Sequence, residues 1–230
     1  MKYDLENINA RFGIGSQKWQ EMKNNPLVDE KVIPFSVADM EFKLAPEITE
    51  GLKKFIDDNI LGYAGTNKKY RENVCKWQQK HHDFTVDEKW LVETHSVVNA
   101  FFTAVKAFTQ KGDGVMLFTP VYYPMYKAIE INQRKLVEIP LINNGMTYDI
   151  DWDLFTKKAK AIDTKMLILC SPHNPCGRIW TREELTKISE ICLANDILVV
   201  ADEIHADLIM PGFKHVSYCL LYTSPSPRDL

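Results

Sequence analysis

No apolar run in these 230 residues approaches the roughly 20 needed to cross a bilayer as a helix. The opening MKYDLENINARFG carries acids early and has no apolar core, so no secretory signal is expected. Basic charge is not in excess: 28 Lys and Arg face 31 Asp and Glu, for a formal net charge of -3, which makes nucleic acid a poor partner. Cysteine is sparse. The five (Cys75, Cys170, Cys176, Cys192, Cys219) are odd in number and show no C-x-x-C spacing, so reduced thiols in a cytoplasmic protein are expected rather than disulfides or a zinc site. Neither a G-x-S-x-G elbow nor a G-x-x-x-x-G-K-[ST] phosphate loop occurs, which removes support from the corresponding hydrolase and nucleotide readings. Internal repeats and coiled-coil heptads are also missing.

What is present suits a globular chain. Hydrophobic residues make up 45% and charged ones 26%, enough to bury a sizeable core in one large domain or one and a half ordinary ones. The central stretch is KMLILCSPHNPCGR, residues 165–178. A short apolar run, 166–170, reads as a buried parallel strand. Two prolines and a glycine in 171–177 then forbid both helix and continued strand. A second apolar run, 197–201, follows after a helix-length gap and ends in Asp202-Glu203-Ile204-His205.

Around this stretch, strands are expected at 91–94, 115–118 and 135–139, with helices at 97–110, 125–132, from Asp151 to about 160, and from the Thr181-x-x-Glu184 capping box to 194. Earlier helices are expected at 46–59, where Pro46 suits a first turn, and at 68–82. Residues 1 to about 34 read as an extended arm, 141–148 as a polar loop, and His81-His82-Asp83 as a solvated helix end. Strands alternating with helices over more than a hundred residues indicate an α/β fold, with a mainly parallel sheet covered on both faces in three layers.

In such sheets ligands bind beyond the carboxyl ends of the strands. Asp202 is the strongest candidate there, because a carboxylate closing an apolar strand needs a cation: a protonated ring nitrogen, or a metal shared with Glu203, His205 and Asp207. The side chains of those four alternate in direction, which disfavours the metal. Asn174 is held in a proline-locked loop and could donate to a phenolate-type oxygen, or could simply make an Asx turn. Tyr122 reads equally as a face for a flat ring and as a buried aromatic. The helix start at Ser96-Val97-Val98 could hold a phosphate, as could any helix start in the chain.

Taken together, four segments resemble fold-type I pyridoxal-phosphate enzymes of the class I/II aminotransferase superfamily: Ala38-Asp39-Met40-Glu41-Phe42, residues 119–124, Cys170 to Trp180 with its H-N-P-x-G-R-x-W pattern, and Ala201-Asp202-Glu203-Ile204-His205. The arm at 11–19 is similar to that of the cystathionine β-lyase (C–S lyase) branch. The resemblance implies an aspartate-aminotransferase-like large domain with pyridoxal 5'-phosphate as cofactor. Asp202 would pair with the pyridine nitrogen, Asn174 would bond the ring 3-oxygen and Tyr122 would stack on the ring. Ser96, Val97 and Val98 would hold the phosphate, with Ser96 where the family usually has Gly. His205 would lie near the 3-oxygen, where aminotransferases commonly carry Tyr. Tyr63 would reach the phosphate of a neighbouring subunit in a homodimer, and Asp39 and Met40 would lie near the substrate entrance. The implied activity is β-elimination from cystathionine- or cysteine-type amino acids. An aminotransferase and a non-catalytic remnant are the alternatives.

One expected element is absent. The family's Schiff-base lysine follows a serine in S-x-x-K, and nothing between His205 and Leu230 fits; Lys214 comes too early. A catalytic residue is therefore expected to be missing and the fold incomplete, so that the chain by itself is expected to be inactive. The domains expected are an arm and start of a small domain at 1–45, a partial cofactor-binding domain at 46–218, and a tail at 219–230 whose Ser-Pro repeats look non-native.

Overall fold

A computed structural model of the chain describes residues 3–28 and 32–221. It divides into two compact units, residues 1–65 and 66–230.

The first unit contains α1 (Gln17–Lys23) and α2 (Pro46–Asp58). The arm expected to be extended therefore holds a helix, and its organisation is ionic. Trp19 and Pro34 are its buried apolar residues among those described; Lys18 and Glu41 are the buried charged ones. Glu41 accepts from Arg11, from Lys18 and from Trp19 Nε1 at 2.7 Å, while its carbonyl accepts the Asn9 amide at 3.0 Å. In α2, Ile48, Leu52, Phe55 and Ile56 recur at helical spacing, yet all four are exposed.

The second unit carries the sheet. After α3 (Lys68–His82) and α4 (Val97–Phe108) come β1 (Gly114–Thr119), α5 (Tyr123–Ile131), β2 (Lys135–Pro140), β3 (Ile142–Asn143) and β4 (Tyr148–Asp149). Then follow α6 (Trp152–Ala159), β5 (Thr164–Cys170), α7 (Arg182–Ala194) and β6 (Leu198–Asp202). The main sheet is wholly parallel in the order β2-β1-β5-β6. Its residues alternate between two cores. Met116, Phe118, Leu167 and Leu169 pack with Phe155 of α6 and Leu185 and Ile188 of α7. Val115, Leu117, Met166 and Ile168 pack with Phe101 and Val105 of α4 and Met125 and Ile129 of α5. Three layers result, with the central strands buried on both sides, which is why they read as unbroken apolar runs. At Gly114 a Cβ would lie 3.0 Å from Val137 and 3.2 Å from Thr164 Cα, so glycine lets the three strands converge.

Three expectations are corrected. Residues 91–94 form no strand: the carbonyls of Glu88 and Leu91 are taken by the Arg71 guanidinium at 2.7 and 3.0 Å rather than by a sheet neighbour. The expected loop at 141–148 holds β3 and the first residue of β4, a short antiparallel pair. His82 is buried rather than solvated, because Asp207 binds its Nε2 at 2.7 Å. At the other end, Tyr218–Leu221 form a 3-10 turn, and Tyr218 and Leu221 join the core against α7. The rest of the expected tail, 222–230, lies outside the described residues. No helix among the described residues is long and apolar enough to cross a membrane.

Candidate cofactor site

Because β1, β5 and β6 are neighbours and parallel, their exits lie side by side, delivering Tyr122, Asn174 and Asp202 to one edge of the sheet. The α4 helix ends shortly before β1 begins, so it runs back across the sheet and brings its N-terminus to that same edge.

The β5 exit is the most tightly built. Both X-Pro bonds of Ser171-Pro172-His173-Asn174-Pro175 are cis, and Gly177 takes φ +66°, a conformation suited to glycine. His173 and Gly177 close a tight turn: the His173 amide donates to Arg178 O and the Gly177 amide to His173 O, each at 2.8 Å. Trp180, fully buried, donates from Nε1 to the Cys170 carbonyl at 2.9 Å. Arg178 donates to Tyr148 O and pairs with Glu184 of the Thr181 capping box, locking the loop to β4 and α7. The Asn174 amide nitrogen of the backbone donates to Cys170 Sγ at 3.3 Å. Its side chain, half-buried, makes no hydrogen bond among the described residues and is free for a ligand.

Asp202 closes β6 opposite Cys170, and its carbonyl accepts the Ser171 amide at 2.9 Å. Asp202 is only 6% exposed. Its one donor among the described residues is the Ile204 amide at 3.2 Å, and no cationic side chain bonds it. Burial raises its pKa above the usual carboxylate value; the Ile204 bond and the charge of His205 offset this only in part. A buried carboxylate with a single neutral donor has unused acceptor capacity, which fits a protonated ring nitrogen.

Tyr122 is half-buried at the N-cap position of α5, its ring 5.4 Å from that of Tyr123. Ser96 Oγ caps α4 by accepting the Asn99 amide at 3.1 Å, and the first-turn amides of Val97 and Val98 have no intrahelical acceptor. His205 is half-buried in the turn after β6. The strand-end residues are therefore collected as expected. Asp39, Met40 and Tyr63 belong to the N-terminal unit. There Asp39 pairs with Arg11 at 2.7 Å and Lys18 at 2.9 Å, Met40 is 77% exposed, and Tyr63 is fully exposed.

Glu203 and Asp207 do not face a common metal. Glu203 accepts from Ser217 and the Tyr218 amide, and Asp207 from His82 and Trp77. Among the described residues no group of His, Cys, Asp and Glu could hold a metal ion. The His82–Asp207 contact spans 125 residues, so nothing in the local spacing announces it. Lys214 is a surface residue, 75% exposed, with its ammonium 2.9 Å from Asp83.

The chain is similar in sequence and fold to known proteins. The model of the aminotransferase class I and II family matches residues 30–226. Cystathionine beta-lyase PatB of Bacillus subtilis is 39% identical over 211 residues, covering 92% of this chain and 54% of that protein. Among solved structures, cystalysin from Treponema denticola, which contains a pyridoxal 5'-phosphate cofactor, superposes with a TM-score of 0.91 at 45% identity, over 95% of this chain and 56% of that one. The pyridoxal-phosphate-bound C–S lyase from Staphylococcus hominis gives 0.87 at 30% identity, over 95% and 56%. The chain spans about half the length of these relatives. It belongs to the aminotransferase class I and II family.

Proposed function

We propose, from membership of that family, that the protein is a pyridoxal-phosphate-dependent carbon–sulfur β-lyase acting on cystathionine- or cysteine-type amino acids to give a thiol, pyruvate and ammonia. The observation that carries the reading is Asp202: a buried carboxylate without a cationic partner, at the strand edge where Asn174 and Tyr122 also arrive. The similarity to PatB and to the C–S lyase structure from Staphylococcus hominis supports the sulfur chemistry, and that to cystalysin supports the cofactor.

When bound, pyridoxal phosphate supplies an electron-withdrawing ring that lowers the cost of removing the substrate's α-proton. The chain's own residues bind and orient. Asp202 would keep the ring nitrogen protonated, a charge that its buried position makes effective. Asn174 would donate to the ring 3-oxygen, with His205 close to it, and Tyr122 would cover one ring face. Ser96 and the amides of Val97 and Val98 would hold the phosphate at the positive end of α4. Tyr63 would serve the phosphate of a second subunit in a homodimer, and Asp39 and Met40 would line the substrate side.

The lysine needed to carry the cofactor covalently has no candidate in these 230 residues. Lys214 lies outside S-x-x-K and is engaged by Asp83. The chain by itself is accordingly proposed not to turn over. The test is release of thiol and pyruvate from cystathionine and cysteine conjugates by the intact gene product. Release supports the lyase; keto-acid-dependent amino exchange without pyruvate would replace it with an aminotransferase.

A further inference from the structure

We infer that Asp207 and His82 are positioning residues that brace the loop carrying Asp202 and His205, an inference that rests on the reading of Asp202 as the partner of a ring nitrogen. After β6 the chain turns immediately. Ile204 donates to Asp202 Oδ1, the Ala206 amide to Glu203 O at 2.9 Å, and the Leu208 amide to His205 O at 2.9 Å. These local turns shape the loop but do not tie it to the rest of the unit.

That is done by the two carboxylates on either side of His205. Glu203 accepts from the Tyr218 amide at 2.6 Å and from Ser217 Oγ at 2.9 Å; His215 Nε2 lies 3.4 Å away but makes no hydrogen bond. Asp207 accepts from His82 Nε2 at 2.7 Å and from Trp77 Nε1 at 3.1 and 3.2 Å. His82 and His215 are both buried and meet edge to face, ring centres 5.8 Å apart. A further link, Asp83 to Lys214, joins the same two segments at the surface. The end of α3 and the segment 215–218 thus grip the loop from two sides.

An apolar seam would hold these segments together at less desolvation cost than two buried imidazoles and their carboxylate partners. What directional bonds add is orientation. They set how the backbone leaves β6, and hence where the Asp202 carboxylate and the His205 ring point.

The test uses the full chain with pyridoxal phosphate labelled with nitrogen-15 in the ring. Affinity is read by tryptophan fluorescence and ring protonation by the nitrogen shift. Asp207 is half-exposed, so Asp207→Ala leaves no cavity. It should weaken binding about tenfold and move the nitrogen signal toward the unprotonated form, while Asp207→Asn, which keeps an acceptor, should recover most of both. Wild-type affinity and shift in Asp207→Ala would overturn the inference. If Asp207→Ala does not fold, Trp77→Phe removes one donor and should show about a threefold loss; no loss would overturn it equally. If the wild-type chain binds no pyridoxal phosphate, the Asp202 reading has failed. The brace is then judged by hydrogen exchange at the Ile204 and Ala206 amides, which Asp207→Ala must accelerate about tenfold and which, unchanged, would refute it.

Discussion

His173 donates from Nε2 to the Pro120 carbonyl at 2.8 Å, joining the exit of β5 to that of β1. The imidazole is buried against Trp180, ring centres 5.5 Å apart, and its Nδ1 has no partner among the described residues. Removing the bond in His173→Leu leaves a carbonyl to be solvated and should cost about 1–3 kcal/mol. A lowered thermal midpoint, with a smaller drop in His173→Gln, is the expected result.

The same residue sets a pH dependence. Burial lowers the His173 pKa below its ordinary value of 6.5. The unfolded chain therefore binds more protons than the folded one below about pH 6.5, so stability falls as pH decreases through that range. Denaturation midpoints at pH 7.5 and 5.5 should differ in that direction for wild type, and by less for His173→Gln.

Asp202 predicts a trade between stability and binding. Its folded pKa is raised, so its ionised form costs stability as pH rises above the usual carboxylate value of 3.8. Asp202→Asn should leave the cofactor-free chain as stable as wild type or more so at pH 7, and should bind pyridoxal phosphate more weakly. Calorimetry of the free chain and a cofactor titration check both parts; unchanged affinity would remove Asp202 from the site.

In the N-terminal unit, burial alone would raise the Glu41 pKa. Bonds from Arg11, Lys18 and Trp19 outweigh it and hold the carboxyl at about 2. Its contribution to the order of the arm is complete above the unfolded value of 4.5 and is lost as pH falls through about 2. Amide protection at Asn9 and Asp39 should therefore be full above about pH 4.5, should fall progressively as pH drops toward about 2, and should be lower in Glu41→Gln already at pH 7.

Thiol reactivity should follow burial. Burial pushes Cys170 and Cys192 up to about 12 and also raises Cys176, but Cys176 and Cys75 are only half-buried and so remain reachable. Alkylation followed by mass spectrometry should label Cys75 and Cys176 in the folded chain and reach Cys170 and Cys192 only on unfolding.

The sheet was legible because its central strands are buried on both faces and so appear as unbroken apolar runs ended by proline. Asp202 stood out for a related reason: a carboxylate closing such a run is costly unless something answers it. What the sequence hid are relationships carried by long-range polar contacts. Leu91-Val92 looks like a strand, yet Arg71 takes the neighbouring carbonyls. His82 sits at the end of a polar helix and looks solvated, and its burial depends on Asp207, 125 residues away. The helix α1 escaped notice because its order depends on Lys18 and Trp19 meeting Glu41, not on an apolar face of its own.

The central claim is that the strand-end residues of this chain hold pyridoxal phosphate. It is tested most directly by titrating the folded chain with pyridoxal phosphate, side by side with Asp202→Asn. Saturable binding at one site per chain, weakened in the variant, is the result predicted. Absence of saturable binding by a chain whose circular dichroism shows the α/β fold would contradict the claim.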